Sequence, residues 1–150
     1  MNIDLEKIKK SLQEFFDLAE IKGSLTVNFQ EPATIKISLQ TEEAPILIGE
    51  KGETLLGLQA LLKKILTKRW NQKFFIELDI NDYREKKRKY LQELAEMAAD
   101  EAILNQSLKS LPPMSAWERR IIHLALAERS DVKTESQGAG EQRHVIIVPL

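Results

Sequence analysis

Two glycines three residues apart are the first feature of the sequence that could do chemistry. They belong to the stretch ILIGEKGET, residues 46–54, which we predict to join an apolar turn at residues 46–48 to the start of a helix. Gly49 and Gly52 would let a ligand approach the backbone closely, and a helix N-terminus offers unpaired N–H groups to a phosphate. Lys51 would add a positive charge, whereas Glu50 and Glu53 would repel an anion.

The glycine spacing excludes two well-known phosphate loops. The stretch lacks the G-x-x-x-x-G-K-[ST] pattern of a Walker A loop. It also differs from a Rossmann fingerprint, which requires a parallel strand–helix–strand unit around the glycines, and we expect no such unit here. A G-x-x-G pattern by itself is weak, because two glycines at a turn between helices often serve only the turn. A phosphate-binding loop and a purely structural turn therefore remain as alternatives.

A second candidate site is the pair Arg119 and His123, which lie four residues apart and therefore on one face of a predicted helix, with Arg120 beside them. An arginine can form two hydrogen bonds to a phosphate, and a histidine can donate a hydrogen bond or stack on a base. The alternative is that Arg119 is an ordinary surface residue and His123 an ordinary half-buried one.

The third candidate is a basic run between Tyr83 and Tyr90. Its cations are Arg84, Lys86, Lys87, Arg88 and Lys89, opposed only by Glu85. Cations that reach phosphates release counterions and strengthen nucleic-acid binding. Within the run, Arg84, Lys87 and Arg88 are the residues that we expect to bridge two binding modules along one strand. The alternative is a solvated helix face, paired in part with Glu93 and Asp82.

The composition limits the remaining functions. The chain has 22 Lys+Arg and 23 Asp+Glu, so its formal net charge is -1 and binding to nucleic acid by bulk charge is excluded. The absence of cysteine excludes a disulfide framework, a thiolate zinc site and cysteine catalysis. The start of the sequence is acidic and amphipathic, unlike a signal peptide, and no long apolar run is present. We expect a cytoplasmic protein with no membrane insertion.

Catalysis has little support in the sequence. His123 and His144 are the only histidines, and nothing in the pattern places a second acid or base beside His123. No His, Asp and Glu cluster has the spacing of metal ligands. We therefore expect no catalytic residue, no metal site and no cofactor.

The first half of the chain has elements that could position the glycine loop. Apolar residues recur at helical spacing from Asp4 to Ile21, and Gly23 is expected to end that helix. Alternation then predicts a hairpin of two strands around Glu31-Pro32, and a third strand over residues 74–80. Between them, a helix with an apolar stripe follows the glycine loop.

The second half begins with a long helix, for which Asn81-Asp82 offers an N-cap and Tyr90 and Met97 part of the apolar face. The Leu111-Pro112-Pro113 segment should end it. Ser115 and Glu118 then form a capping box for a second helix, whose predicted core face comprises Trp117, Ile121, Leu124 and Ala125. Strands are predicted at residues 132–135 and 145–148. The fold class is therefore α+β, with two small domains, residues 1–81 and 82–150.

The first domain resembles the type II KH domain, in its element order and in the sequence ILIGEKGETLLGLQALL at the position of that family's G-x-x-G signature. In KH domains this loop clamps the backbone of about four single-stranded nucleotides, and an apolar groove receives the bases. The resemblance implies that Gly49, Glu50, Lys51 and Gly52 form the clamp. It also implies a groove wall from residues such as Ile48, Leu55 and the strand 35–39.

Residues 113–150 resemble the R-three-H domain, which binds single-stranded nucleic acid and is named for its Arg-x-x-x-His motif. A type II KH domain, a long helix and an R-three-H domain, in that order, are similar to the C-terminal part of the Jag family of bacterial RNA-binding proteins, also called SpoIIIJ-associated or KhpB proteins. The resemblance implies that Arg119 and His123 are the motif pair and that Arg143, on the last strand, is a basic neighbour. We expect the N-terminal domain and linker carried by many family members to be lacking here.

We therefore expect a non-catalytic, regulatory or chaperone-like protein that binds single-stranded RNA, with single-stranded DNA as a second candidate ligand. The alternative is a protein-interaction adaptor, which pairs with another KH-domain protein and binds RNA weakly or not at all. Glu50 and Glu53 favour the adaptor, whereas Lys51, Arg119 and the basic run favour RNA. The sequence leaves the oligomeric state open.

Overall fold

The computed structural model describes residues 3–150, and the fold is α+β as predicted. The helices are α1 (Leu5–Leu18), α2 (Ala44–Ile48), α3 (Glu53–Trp70), α4 (Tyr83–Asn105) and α5 (Ala116–Leu126). The strands are β1 (Ser24–Gln30), β2 (Thr34–Gln40), β3 (Phe75–Ile80), β4 (Lys109–Ser110), β5 (Val132–Gln137) and β6 (His144–Pro149). The chain divides into two compact units between Arg84 and Glu85.

The first unit contains a three-stranded sheet in the order β1-β2-β3. The predicted hairpin is confirmed, since β1 and β2 pair in antiparallel fashion. However, β2 and β3 pair in parallel, with Ile37 opposite Leu78. The expectation that no parallel strand–helix–strand unit surrounds the glycine loop was therefore wrong. The loop lies between two helices of this crossover, which still differs from the strand-to-helix position of a Rossmann fingerprint.

One face of this sheet forms the core of the first unit. Because alternate side chains of a strand point to the same face, Ile35, Ile37 and Leu39 of β2 are buried together with Ile76 and Leu78 of β3. Their neighbours in the core come from α1 and α3 and include Ile8, Leu12, Phe16, Leu62 and Leu66. Helical spacing predicted the core face of α3 through Leu62 and Leu66, and that of α1 through Ile8 and Leu12. For α1 the prediction was partly wrong, because the buried Phe16 was not in the predicted stripe and Ala19, which was, is exposed beyond the helix end.

Two helix ends of the first unit differ from the sequence prediction. α1 ends at Leu18, and the residue with a left-handed backbone after it is Glu20 (φ 58°), so Gly23 does not end the helix. The stretch predicted as an apolar turn, residues 46–48, belongs to α2, which has Pro45 in its first turn. Proline is favoured at this position because the first N–H groups of a helix have no partner within it.

The junction from β3 to α4 is built differently from the predicted cap. Asn81 and Asp82 both have left-handed backbones, with φ 52° and 57°, and form the turn. The side-chain oxygen that accepts from the first turn of α4 belongs to Asp79, 3.2 Å from the amide nitrogen of Arg84. Asn81 instead pairs its side-chain amide with the backbone of Thr41, which follows β2. The predicted N-cap was therefore wrong because Thr41 binds the Asn81 side chain.

The second unit contains a three-stranded antiparallel sheet in the order β4-β6-β5. Its core combines alanines and Leu91 of α4 with apolar residues of α5 and the sheet, including Ile121, Ile122, Leu126, Val145 and Ile147. Two residues assigned to the apolar face of α4 are exposed, since Tyr90 is 57% and Met97 63% accessible. α4 ends at Asn105, before Pro112-Pro113, and the short strand β4 separates them.

α5 confirms the predicted capping box in both directions. The hydroxyl of Ser115 accepts from the amide of Glu118, and the carboxylate of Glu118 accepts from the amide of Ser115. The predicted core face was partly wrong, because Leu124 is 64% exposed whereas Ile122 and Leu126 are buried. None of the helices between residues 3 and 150 combines the length and the hydrophobicity of a membrane-spanning segment.

Candidate functional site

The glycine loop has a backbone that only particular residues adopt without strain. Gly49 (φ 72°, ψ -178°), Lys51 (φ 53°) and Gly52 (φ 78°) all have positive φ. A Cβ atom on Gly49 would lie 2.2 Å from the hydroxyl oxygen of Thr54, so glycine is required there by space as well as by conformation. This loop forms a single 3₁₀ turn, Glu50–Gly52, between α2 and α3.

The N-terminus of α3 offers backbone N–H groups to a ligand. Gly52 is its N-cap residue and supplies no side-chain acceptor. Two amides here already have backbone acceptors, because the Gly52 N–H donates to the carbonyl of Gly49 and the Glu53 N–H donates to the carbonyl of Glu50. The positive end of the helix dipole still favours an anion at this position. Lys51, at the tip of the loop, is exposed and forms no ion pair with any residue that the structure describes. Glu50 and Glu53 are exposed as well, so the local charge of the loop is mixed.

The groove wall expected from the sequence turns out to be core. Leu55 and the apolar residues of β2 are at most 2% exposed, because they pack inside the first unit. Ile48 is half-buried. The apolar side chains that remain accessible beside the loop in sequence are Ile46, at 78%, and Leu56, at 52%. Sequence reasoning missed both. Ile46 was assigned to an apolar turn, and for Leu56 helical spacing alone does not separate the buried face of α3 from its neighbour.

The Arg-His pair lies on α5, and both side chains are half-buried. Arg119 Nε donates to the carbonyl oxygen of Met114 over 3.3 Å. The two ring nitrogens of His123 lie 2.6 Å from Thr134 Oγ1 and 2.9 Å from Ser136 Oγ, on strand β5. Burial, and secondarily the positive charge of Arg119, lower the pKa of His123 below its ordinary value of 6.5. The imidazole is therefore neutral at pH 7 and already paired on both sides.

The two other arginines assigned to this site have different surroundings. Arg120 is exposed and makes no ion pair with a described residue. Arg143 is not on the last strand, as expected, but immediately before it, where its guanidinium donates to the carbonyl oxygen of Gly138 over 2.8 Å. The backbone carbonyl of Arg143 accepts from the amide of Met114, so Met114 connects Arg143 with Arg119 through its own backbone.

The three bridging cations of the basic run all have partners within their own units. Arg84 donates to the carbonyl oxygen of Leu78 and to the side chain of Gln59. Lys87 pairs with the buried carboxylate of Glu118 over 3.2 Å. Arg88 pairs with Glu85 over 3.0 Å. The remaining cations of the run, Lys86 and Lys89, are exposed and form no ion pair in the described part of the chain.

No cluster of His, Asp and Glu that could hold a metal ion occurs among residues 3–150. The largest group of opposite charges in the second unit surrounds Arg129, whose guanidinium contacts Glu96, Asp100 and Asp131 at 2.8–2.9 Å. These hydrogen bonds raise the pKa of Arg129 and hold the pKa of Asp131 below its ordinary value. Because the carboxylates are bound to this arginine, the group is a structural ion-pair network.

Comparison with known proteins adds the family. A family model described as the R-three-H domain matches residues 89–149. RNA-binding protein KhpB of Clostridium symbiosum is 34% identical over 143 residues, which cover 95% of this chain and 64% of that protein. RNA-binding protein KhpB of Bacillus subtilis (strain 168) is 32% identical over 145 residues, which cover 95% of this chain and 69% of that protein.

A more distant relative is RNA-binding protein KhpB of Streptococcus pneumoniae serotype 2, which is 27% identical over 150 residues. Those residues are 97% of this chain but 45% of that protein, so the chain spans between 45% and 69% of the length of these three relatives. The R-three-H match contains α5 with Arg119 and His123 and both long strands of the second sheet. With an R-three-H domain in its second half and this degree of identity along nearly its whole length, the chain belongs to the KhpB family.

Proposed function

We propose that residues 1–81 form a type II KH domain, and that residues 82–150 comprise the connecting helix and the R-three-H domain. The element order α1-β1-β2-α2-α3-β3 supports the first assignment, as does a sheet in which β2 and β3 are parallel. The glycine loop lies between α2 and α3, where the KH fold carries its G-x-x-G signature. Both modules recognise single strands in the proteins that contain them.

We propose that the protein binds single-stranded RNA, as the names of its relatives say of them. One observation carries this proposal: the loop Gly49–Gly52 combines glycine-specific backbone, a helix N-terminus without a side-chain cap, and an exposed lysine that forms no ion pair within residues 3–150. Such a loop can bring N–H groups and one positive charge to a phosphate while leaving the bases free. The RNA contacts are therefore expected to be mainly to the backbone at this loop.

In the R-three-H domain, we propose that Arg119, Arg120 and Arg143 contact the strand, and that His123 acts at the same surface through its contacts with β5. Arg120 is the most accessible of the three arginines. Two modules on one strand raise each other's effective concentration, which compensates for a weak individual site. This matters here because Glu50 and Glu53 reduce the attraction between the KH loop and phosphate.

The basic run can extend this contact. Lys86 and Lys89 are available without rearrangement. Lys87 and Arg88 can contact a phosphate only if their ion pairs with Glu118 and Glu85 exchange for it. Arg84 is held by Gln59 and Leu78, so we assign it first to the support of the fold.

We propose binding without turnover, and action in the cytoplasm, where single-stranded transcripts are present. His123 has no second acid or base among its hydrogen-bond partners, which are two hydroxyl groups. A neutral imidazole held by hydroxyls lacks the partner that general acid–base cleavage of RNA requires.

The second candidate function is that of an adaptor, which pairs with another KH-domain protein. The observation that favours it is the exposure of Glu50 and Glu53 at the loop, where two negative charges flank the single lysine. The adaptor and the RNA-binding protein differ in what Lys51 does. If the protein is an adaptor, removal of the Lys51 side chain leaves the affinity for RNA unaffected, because that affinity is already low.

The test is fluorescence anisotropy with short single-stranded RNA and DNA oligomers over a salt series. Lys51→Ala should weaken binding and reduce the magnitude of the slope of log K against log salt by about 0.7, the value for one phosphate contact on a single strand. Arg120→Ala should do the same in the R-three-H domain. Lys9→Ala is the matched control, because Lys9 is also exposed and lies on α1 without an ion pair to a described residue.

An equal loss for Lys9→Ala and Lys51→Ala would show that charge alone, and not the loop, binds the nucleic acid. Absence of binding at low salt would reject RNA binding and leave the adaptor. For the adaptor, light scattering after size-exclusion chromatography with an added KH-domain protein should then show a complex.

A further inference from the structure

Tyr83, the first residue of α4, lies against the second glycine of the loop. A Cβ atom built on Gly52 would lie 3.3 Å from Cε1 of Tyr83 and 3.4 Å from its hydroxyl oxygen. The ring therefore covers Gly52, which is itself buried. Both residues belong to the first unit, although they lie 31 positions apart in the sequence. The phenol group is thus a structural neighbour of the loop that the sequence pattern alone does not reveal.

The backbone on both sides of Tyr83 is anchored. Before it, the side-chain amide of Asn81 pairs with the backbone N–H and C=O of Thr41, at 2.8 and 2.7 Å. After it, the amide of Arg84 donates to Asp79, and the guanidinium of Arg84 donates to Leu78 and Gln59. Gln59 lies on α3, the helix that the glycine loop begins. These contacts fix where Tyr83 projects relative to the loop.

The hydroxyl of Tyr83 is available to a ligand. It takes part in none of the hydrogen bonds formed between residues 3–150. It is also not a buried unpaired group, because the one buried side-chain polar atom without a partner in this part of the chain is Nε2 of Gln72. The hydroxyl oxygen therefore reaches solvent beside the loop while the ring stays half-buried. A fixed ring with a free O–H group is a well-oriented donor.

We propose that Tyr83 is a further nucleic-acid contact of this loop: its O–H group donates a hydrogen bond to a backbone phosphate oxygen of the strand held by Gly49–Gly52. This inference rests on the proposed function and adds to it a donor from outside the G-x-x-G sequence. The phosphate oxygen is the acceptor that the neighbouring loop amides and Lys51 would also attract. A neutral donor adds affinity without releasing a counterion, so its contribution does not depend on salt.

Tyr83→Phe removes only the hydroxyl oxygen and keeps the ring that packs on Gly52. We expect it to weaken binding of a short single-stranded RNA about threefold to tenfold, the usual range for one hydrogen bond. The loss should be the same at each salt concentration, because no charge is removed. Tyr90→Phe is the matched control, since Tyr90 is exposed on the same helix, outside the first unit. It should bind RNA with wild-type affinity.

The salt series separates this inference from the proposed function. If wild type binds and Lys51→Ala reduces the salt slope, the loop binds RNA whatever Tyr83 does. Under those conditions, wild-type affinity for Tyr83→Phe, or an equal loss for Tyr90→Phe, overturns the role of the Tyr83 hydroxyl. Thermal melts of each variant check that a loss of RNA affinity does not come from unfolding. The melting temperature of Tyr83→Phe should lie within about two degrees of the wild-type value.

Discussion

The ring nitrogen Nδ1 of His123 lies 2.6 Å from the hydroxyl oxygen of Thr134, so the histidine of the Arg-x-x-x-His sequence in α5 is bound to strand β5 of the same unit. With Ser136 on the other ring nitrogen, both nitrogens are occupied. One ring nitrogen donates to a hydroxyl and the other accepts from one, in an order that depends on the tautomer. His123 therefore connects α5 to β5 through both ring nitrogens, in addition to any contact of its own with nucleic acid.

The lowered pKa of His123 predicts a pH dependence of stability. Between the folded pKa and the ordinary value of 6.5, the unfolded chain binds more protons than the folded one. The contribution of His123 to stability is thus fully present above pH 6.5 and is lost as the pH falls below that value. We expect the melting temperature of wild type to fall more than that of His123→Gln between about pH 7.5 and pH 5.5. Parallel pH profiles for the two proteins would contradict the account of this site.

A substitution at Gly49 should disturb the backbone of the glycine loop directly. Gly49→Ala should destabilise the first unit by about 1–3 kcal/mol, because its backbone is strongly disfavoured for other residues, and a Cβ atom would meet Thr54. Gly49→Ala should also lower the affinity for RNA, because the loop would no longer hold its conformation. Gly57→Ala is the control within the same region, since Gly57 is on α3 and a Cβ atom there meets nothing within 4 Å. It should raise stability by about 0.5–1 kcal/mol, as measured by urea unfolding.

The buried carboxylate of Glu118 has two partners, so its removal should lower the free energy of unfolding. It is 5% exposed, accepts from the amide of Ser115 and pairs with Lys87. Glu118→Ala should destabilise the second unit by about 2 kcal/mol, since a helix cap and a charged hydrogen bond are lost together. Glu135→Ala removes an exposed ion pair with Lys133 and should cost less than about 0.5 kcal/mol. Equal unfolding midpoints for the two variants in denaturant would refute this difference.

Substitution of Arg129 should lower the melting temperature by an amount that depends on pH. Arg129→Met leaves Glu96, Asp100 and Asp131 without their common partner. Because Arg129 lowers the pKa of Asp131, the stability that this pair provides is present above the ordinary carboxyl pKa and is lost as the pH falls through the folded value. The difference in melting temperature between wild type and Arg129→Met should therefore narrow on acidification below about pH 4. A constant difference from neutral to acid pH would argue against this network.

Local signals in the sequence predicted their elements well. The capping box of Ser115 and Glu118 is decided by residues three apart, so the pattern predicts the cap that the structure has. The glycine loop was placed correctly before a helix for the same reason. One signal failed because of a distant residue: Asn81 has the residue type of an N-cap, but its side chain is bound by Thr41, forty positions earlier. Others failed locally, since Gly23 does not end α1 and residues 46–48 belong to a helix.

The direction of strand pairing was another feature that local patterns could not supply. The alternation in β2 and β3 is the same whether the strands run parallel or antiparallel, so the parallel unit around the loop was missed. The proximity of Tyr83 to Gly52, and of His123 to Thr134, likewise requires the tertiary fold. Residue types identified the candidate site, whereas its hydrogen-bond partners came only from the structure.

The measurement that tests the central claim most directly is a two-dimensional ¹H–¹⁵N NMR titration of the whole chain with a short single-stranded RNA. The account predicts that amide shifts concentrate at Gly49–Thr54 and at the Arg119–His123 face of α5, because these segments contact the strand. Shifts confined to other surfaces, or no shifts at RNA excess in low salt, would contradict it.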